Sequence, residues 1–519
     1  MRWKSRPESS QQPAQPALAE QVAVNVAHLK TLLGNSSDLV VRELQAVGEI
    51  RTAAAYMDGI TDKDKINDYI IHALLTETNQ LPKEPQKNRQ SAGDDLLSFI
   101  QTHALAVGEV RIVQDWDRVI LSVLSGDTVL FVEGYAEALI CGTKGGQHRN
   151  VEEPSTQLVI RGPKEGFTES IGTNVSLVRK RIKSKDLWLE TMKIGQVTQT
   201  DVAVMYIQGI ASEKIVKEIK RRLNRINTDG ILESGYIEEF IEDKGNTPFP
   251  TIYNTERPDS VAANLLEGRI AIFIDGTPFV LVAPTTFFMH FQSPEDYYQR
   301  YPVSSAIRLL RYGTFLIALF GPSVYIAAIT FHQEMIPTAL LINLAAQRES
   351  VPFPALIEAL LMEVAFEILR EAGVRMPRAV GQAVSIVGAL VLGQAAVEAG
   401  IVSSMMVIVV SITGISSFAN PSFSMSLGVR FVRFLMMFSA AIFGFYGMAI
   451  FSLLILTHMC SMRSFGIPYM SPFSPFILED HKDTLIRFPL KKLFTRPRLI
   501  SQQDVIRQGT QSEPSKGRG

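Results

Sequence analysis

The stretch FPALIEALLMEVAFEILREAGVRMPRAVGQAVSIVGALVLGQAAVEAG, residues 353–400, decides how the chain reads. Its first half is an apolar helix carrying Glu358, Glu363 and Glu367. A basic turn with Arg370, Arg375 and Arg378 leads into a second apolar helix. Carboxylates on a helix of membrane-grade hydropathy are costly to expose to lipid, so they are expected to face a protein partner or a water-filled path. Gly381, Ser385, Ala389 and Gly393 recur every four positions and predict a face on which another helix packs closely. The stretch reads as the working part of an all-α, polytopic membrane domain.

That domain extends over 301–478. Tyr297, Tyr298 and Tyr301 suit an interfacial aromatic belt, and Arg308 and Arg311 mark a cytoplasmic edge. Residues 312–331 are long enough to span about 30 Å of hydrocarbon, with a kink expected at Gly321-Pro322. A connection with a short interfacial helix follows at 332–352. Segments 380–398 and 401–419 read as spans, Asn420-Pro421 stops the second, and 434–458 is a further span with Gly444 and Gly447 as a packing or bending site. Five spans keep the arginine clusters inside but send Lys491, Lys492, Arg496 and Arg498 outside, against the preference of basic residues for the cytoplasmic face. A partial return through SFGIPYMSPFSPF (464–476) would reconcile the count and keep both termini inside.

Two roles stay open for Glu363 and Glu367, which share one helix face. They line or flank an ion path, together with Gln382, Gly388, Gln394 and Glu398. Or they pair with Arg370, Arg375 or a neighbouring subunit and hold helices in register.

Upstream the composition changes. Charge crowds into 1–311 and 479–519, and the totals nearly cancel at 51 basic and 52 acidic residues, so no basic excess points to nucleic acid. Residues 51–70, RTAAAYMDGITDKDKINDYI, echo 201–220, DVAVMYIQGIASEKIVKEIK. GDTVLFVEGYAEALI (126–140) aligns without gaps to GRIAIFIDGTPFVLV (268–282), so the two echoes are offset by 150 and 142 residues. Each first echo reads as strand, glycine turn and amphipathic helix. Each second reads as a hairpin turning at Glu133-Gly134 or Asp275-Gly276. Two related α/β subdomains are therefore expected, at 36–150 and 175–300. Between them lies a linker or coupling loop at 151–174, in which Arg161, Gly162, Pro163 and Glu169 are the candidate residues.

The Pro/Gln/Ser-rich lead is expected to make 1–35 a disordered tail, with no apolar core of a signal peptide. Residues 479–519 are expected to be a basic cytoplasmic tail. Cys141 and Cys460 lie too far apart in sequence for a metal-ligand spacing or a disulfide framework. No HExxH, GxSxG, GxGxxG or P-loop spacing occurs, so the expectation is a non-enzymatic protein with no cofactor and no bound metal.

The blocks RGPKEGFTES (161–170), PDSVAANLLEGRIAIFIDGTPFVLVAP (258–284), FQSPEDYYQR (291–300), the helix with Glu358, Glu363 and Glu367, and SIVGALVLGQAAVEAGIVS (385–403) resemble the A subunits of the GerA-type spore germinant receptors. The resemblance covers roughly residues 35–490. It implies assembly with a polytopic B subunit and a lipoprotein C subunit in the spore inner membrane, with the large N-terminal domain on the cytoplasmic (core) side. It also implies a homo-oligomer acting as a nutrient-gated ion channel. The readings it leaves beside that one are a non-conducting scaffold of the receptor cluster and a membrane transporter.

Overall fold

A computed structural model describes residues 17–46, 50–76, 109–145, 153–154, 157–243, 245–376, 391 and 393–508. The chain divides into an α/β unit (1–242, 252–284 and 490–519) and a helical unit (243–251 and 285–489).

Two five-stranded antiparallel sheets build the α/β unit. The first contains β1 (Leu39–Ala46), β2 (Ile50–Met57), β3 (Val110–Val113), β4 (Thr128–Val132) and β5 (Ala138–Cys141) in the order β1-β2-β4-β5-β3. The second contains β6 (Leu187–Ile194), β7 (Thr200–Ile207), β8 (Tyr253–Thr255), β9 (Ile270–Ile274) and β10 (Val280–Ala283) in the order β6-β7-β9-β10-β8. The topologies are identical, and so is the register. Thr52 faces Val132 where Val202 faces Ile274, and Ala53 faces Phe131 where Ala203 faces Phe273, as the two sequence offsets require. Gly134 and Gly276 both sit at φ 88°, a left-handed turn that glycine takes without a Cβ penalty. The duplication is therefore a duplication of fold.

Each repeat opens with a helix and crosses back over its sheet with another: α1 (Val22–Leu32) and α2 (Trp116–Leu124) in the first, α3 (Ile171–Arg181) and α6 (Pro258–Leu266) in the second. Helices α4 (Glu213–Leu223) and α5 (Ser234–Ile241) lie between β7 and β8. The expected tail 1–35 needs correction here. Leu18, Val22, Val26, Leu29 and Leu33 are buried against Val119, Val123 and Phe131, so α1 is a core element of the first repeat. The apolar spacing of four, three and four residues gives it one buried face.

The repeats are joined by a buried polar seam. Arg179 on α3 donates from Nε to Asp38 Oδ2 at 2.7 Å, from Nη2 to Asp38 Oδ1 at 2.9 Å and Ser36 Oγ at 2.8 Å, and from Nη1 to the Leu187 carbonyl at 2.7 Å. The expected coupling loop is docked onto the second repeat. Arg257 Nη2 donates to the Pro163 carbonyl at 2.8 Å, the Phe167 amide donates to the Glu256 carbonyl at 2.7 Å, and the Gly276 amide donates to the Glu169 carbonyl at 2.8 Å. Gly162 has φ 140°, and the Arg161 and Glu169 side chains are exposed. Of the expected basic tail, residues 490–508 belong to this unit. Ile500 is buried, Ser501 Oγ donates to the Ile210 carbonyl, and Arg496 Nε donates to the Leu266 carbonyl at 2.8 Å.

The helical unit contains α7 (Tyr301–Phe331), α8 (Thr338–Arg348), α9 (Ala355–Arg375), α10 (Ser404–Phe418) and α11 (Phe423–Ser461). Helices α7 and α11 are long and apolar enough to cross a membrane. Helix α7 carries Pro322, the expected kink site, inside one continuous helix.

The break lies in α11, at Gly444 (φ 61°, ψ −143°), where the helix folds back on itself. Gly447 abuts the Ser439 carbonyl, residues that a straight helix would hold about 12 Å apart. At the far ends, Gly428 abuts the Pro248 carbonyl while His458 Nε2 lies 3.0 Å from Thr247 Oγ1, on the adjacent residue. Segments 423–443 and 445–461 are thus antiparallel arms, about 30 and 25 Å long. His332, at the end of α7, packs on the bend, its Nδ1 3.0 Å from where a Gly444 Cβ would stand.

Arg308 and Arg311 sit in a cluster of ion pairs. Arg308 is fully buried, donating from Nε to Asp296 at 3.1 Å and from Nη1 to Asp483 at 2.8 Å, while Arg311 reaches Asp296 at 2.8 Å. Residues 464–476 form no helix. They form turns beside the short ladder Arg463–Ser464/Ile467–Pro468, and Tyr469 is buried with Phe287, Phe291 and Met462.

Candidate site: a buried charge network in the helical unit

Neighbour contacts set the direction of each helix. Along α9 and α10, Glu358 meets Ser403, Phe366 fills the space over Gly414, and Arg370 meets Ser417, so the two helices run parallel. Along α9 and the first arm of α11, Glu363 meets Arg433 and Glu367 meets Arg430, so these run antiparallel.

Two clusters of charge follow. In the first, Glu358, fully buried in the opening turn of α9, accepts from the Ser403 amide at 3.0 Å and the Ser403 hydroxyl at 2.9 Å. Arg348 lies 3.3 Å away. Ser403 is itself the N-cap of α10, so this carboxylate fixes the start of a neighbouring helix.

The second cluster is larger. Arg433 lies 2.8 Å from Glu363, with both side chains 1% exposed, and 3.5 Å from Glu367. Glu367 also binds Arg370 and Arg430, each at 3.1 Å. Arg370 donates from Nη2 to Ser417 Oγ at 3.0 Å and is held between the Phe366 and Phe418 rings, each 4.9 Å from its guanidinium carbon. Three guanidinium groups therefore face two carboxylates. Among the described residues neither Glu363 oxygen accepts a hydrogen bond, and Arg433 Nε donates none. A buried carboxylate with unused lone pairs can take up a proton, a water molecule or a cation.

The structure brings Glu363 and Glu367 together and leaves other candidates apart. Gln394 donates to Glu398 at 2.8 Å on an exposed surface. Gly393 is buried, and a Cβ there would stand 3.5 Å from Val407 of α10, a close helix approach. Gly381, Gln382, Ser385, Gly388 and Ala389 lie outside the described residues. Arg375 pairs with Glu371 rather than with Glu363 or Glu367. Sequence reasoning missed Arg430 and Arg433 as network members. Their spacing of three, which puts both on one helix face, was the available signal.

A duplicated α/β module followed by a helical unit with two helices long and apolar enough to cross a membrane, and ion pairs buried among its helices, sets the class of protein to compare. Comparison narrows the class. The family model for the Bacillus/Clostridium GerA spore germination protein matches residues 27–499, and the chain belongs to that family. Similar proteins include Spore germination protein KA of Bacillus subtilis (strain 168), 50% identical over 97% of this chain and 91% of that protein. Spore germination protein A1 of the same organism is 40% identical over 92% and 96%. Among solved structures, the N-terminal domain of the A subunit of the Bacillus megaterium spore germinant receptor GerK3 is 44% identical. It covers 52% of this chain and 98% of its own, with a TM-score of 0.40.

Proposed function

We propose that this chain is a non-enzymatic A-type subunit of a nutrient germinant receptor in the spore inner membrane, acting in germination signalling with a polytopic B subunit and a lipoprotein C subunit. Copies of the chain oligomerise around a nutrient-gated ion path, and the N-terminal α/β unit lies on the cytoplasmic (core) side. The observation that carries the reading is the network of Glu363, Glu367, Arg370, Arg430 and Arg433, buried among membrane-grade helices with Glu363 incompletely bonded. Charge at that depth is expensive, and where it is kept it points to passage or gating. The fold-back at Gly444 supports the topology. The two arms of α11 return the chain to the side on which α11 began, so both ends of that hairpin lie on one side of the membrane.

The test is electrical recording from the receptor subunits reconstituted together in a bilayer. Glu363→Gln and Glu367→Gln are expected to change conductance or ion selectivity. If both leave the currents untouched, the path assignment fails. The saturation of Glu367 by three arginines favours a second reading, a scaffold role for that residue, and such a result would bring the non-conducting scaffold and the transporter readings forward.

A further inference from the structure

Helix α5 (Ser234–Ile241) has two apolar faces. Ile237 and Ile241 are buried in the second repeat, whereas Tyr236 and Phe240, one turn apart on the other side, are 45% and 52% exposed. Leu232, just before the capping Glu233, is 69% exposed. Two exposed aromatics one turn apart, with an exposed leucine just before the helix, mark a contact with something apolar. Helix α4 packs alongside, and Arg222 Nη1 donates to the Ile241 carbonyl at 2.6 Å. The exposed Arg221 and Arg225 stand at the same end of α4. Immediately after α5 the chain enters the helical unit, where Thr247 and Pro248 meet His458 and Gly428 at the open end of the α11 hairpin. Phe240 and Pro248 are eight steps apart along the chain, a reach of at most about 28 Å.

We infer that α5 is an interfacial membrane anchor: Leu232, Tyr236 and Phe240 insert among lipid headgroups, and Arg221 and Arg225 meet the phosphates of anionic lipids. Aromatic side chains with flanking arginines suit that boundary. The short tether to the membrane-grade hairpin favours a lipid surface over a second copy of the chain. Glu239, on the same side of the helix, stays at the water edge. The anchor ties the second repeat, which carries the coupling loop and the C-terminal residues 490–508, to the bilayer surface. It rests on the membrane reading of the helical unit.

The test uses the full-length chain in vesicles of phosphatidylcholine and phosphatidylglycerol. A Cys460→Ser background removes the exposed thiol, and the buried Cys141, its pKa pushed up to about 12 by burial, stays unlabelled. Single cysteines Tyr236→Cys, Phe240→Cys, Phe438→Cys and Leu121→Cys receive an environment-sensitive fluorophore. Labels at 236 and 240 are expected to shift to the blue and to lose intensity with a nitroxide at headgroup level. The label at 438, on the exposed side of α11, should lose intensity with a nitroxide deep in the acyl chains. The label at 121, exposed on the first repeat, should respond to neither. Arg221→Glu with Arg225→Glu should weaken quenching at 240 and leave 438 unchanged. Quenching at 438 without quenching at 240 overturns the anchor and spares the membrane reading. No quenching at 438 overturns both. A blue shift at 240 that grows with protein-to-lipid ratio, without nitroxide quenching, assigns the face to a second copy and overturns the lipid assignment.

Discussion

Two buried arginines, one in each unit, make opposite uses of the same chemistry. Arg179 and Arg433 are each 1% exposed, and each meets a carboxylate at closely similar distance, 2.7 Å for Asp38 and 2.8 Å for Glu363. Arg179 spends every nitrogen on Asp38, Ser36 or the Leu187 carbonyl. Arg433 leaves Nε unbonded among the described residues, and its partner Glu363 accepts no hydrogen bond. A fully satisfied buried network rigidifies, whereas a partly satisfied one has alternatives of similar energy. The first pair is a weld between repeats. The second can rearrange, because Arg433 lies between Glu363 and, 3.5 Å away, Glu367.

The comparison breaks first at the weld. Arg179→Ala strands the Asp38 carboxylate in the seam, and removal of one member of a buried pair costs about 3–5 kcal/mol. Chemical denaturation of the full chain in detergent should show that loss in the α/β unit. A loss under about 1 kcal/mol, ordinary for a surface pair, would mean that the seam opens to water. Glu363→Gln should cost less, about 2 kcal/mol, since Arg433 retains Glu367. It should nevertheless alter ion release from spores after nutrient addition. If Glu363→Gln proves as destabilising as Arg179→Ala and leaves release unchanged, the two networks are of one kind.

Next in size is the bend that sets the depth of Arg430 and Arg433. Gly444→Ala places a Cβ against His332 at positive φ and should cost roughly 1–2 kcal/mol. Thermal melting in detergent measures it. The bend also makes a sidedness prediction: Cys460 and a cysteine introduced by Ala419→Cys should react with an impermeant maleimide from the same side of the membrane. Reaction from opposite sides would mean a straight α11.

Much of this was legible in the sequence, for a physical reason in each case. Gapless echoes marked two sheets of one pattern, because equal spacing between equivalent strands sets equivalent residues opposite one another. Gly444 was marked as a packing or bending site, but a glycine among apolar residues fits close packing as well as reversal, and only its neighbours decide. Helix α1 was hidden behind the Pro/Gln/Ser-rich lead, although Val22, Val26, Leu29 and Leu33 already formed a stripe. The partner of Glu363 lies 70 residues away, and charge patterning reads only neighbours on one helix.

Glu238 sharpens the comparison from a third side, since its charged neighbours are Glu233 and Glu242 rather than a guanidinium. Burial first, and then the two carboxylates, push its pKa up to about 7, with a hydrogen bond from Asn254 opposing. Its folded pKa thus exceeds the ordinary 4.5, so between those values the folded state holds a proton that the unfolded chain has released. Stability therefore falls as pH rises across that window, by about 1 kcal/mol once the partly exposed edge of the side chain is allowed for. Melting temperatures of the full chain taken from pH 4.5 to 7 should decline more steeply for the native protein than for Glu238→Gln, which has no proton to lose. Parallel profiles would mean that water already reaches this carboxylate. Burial of charge beside like charge would then be confined to the helical unit, where Arg370, Arg430 and Arg433 lie together.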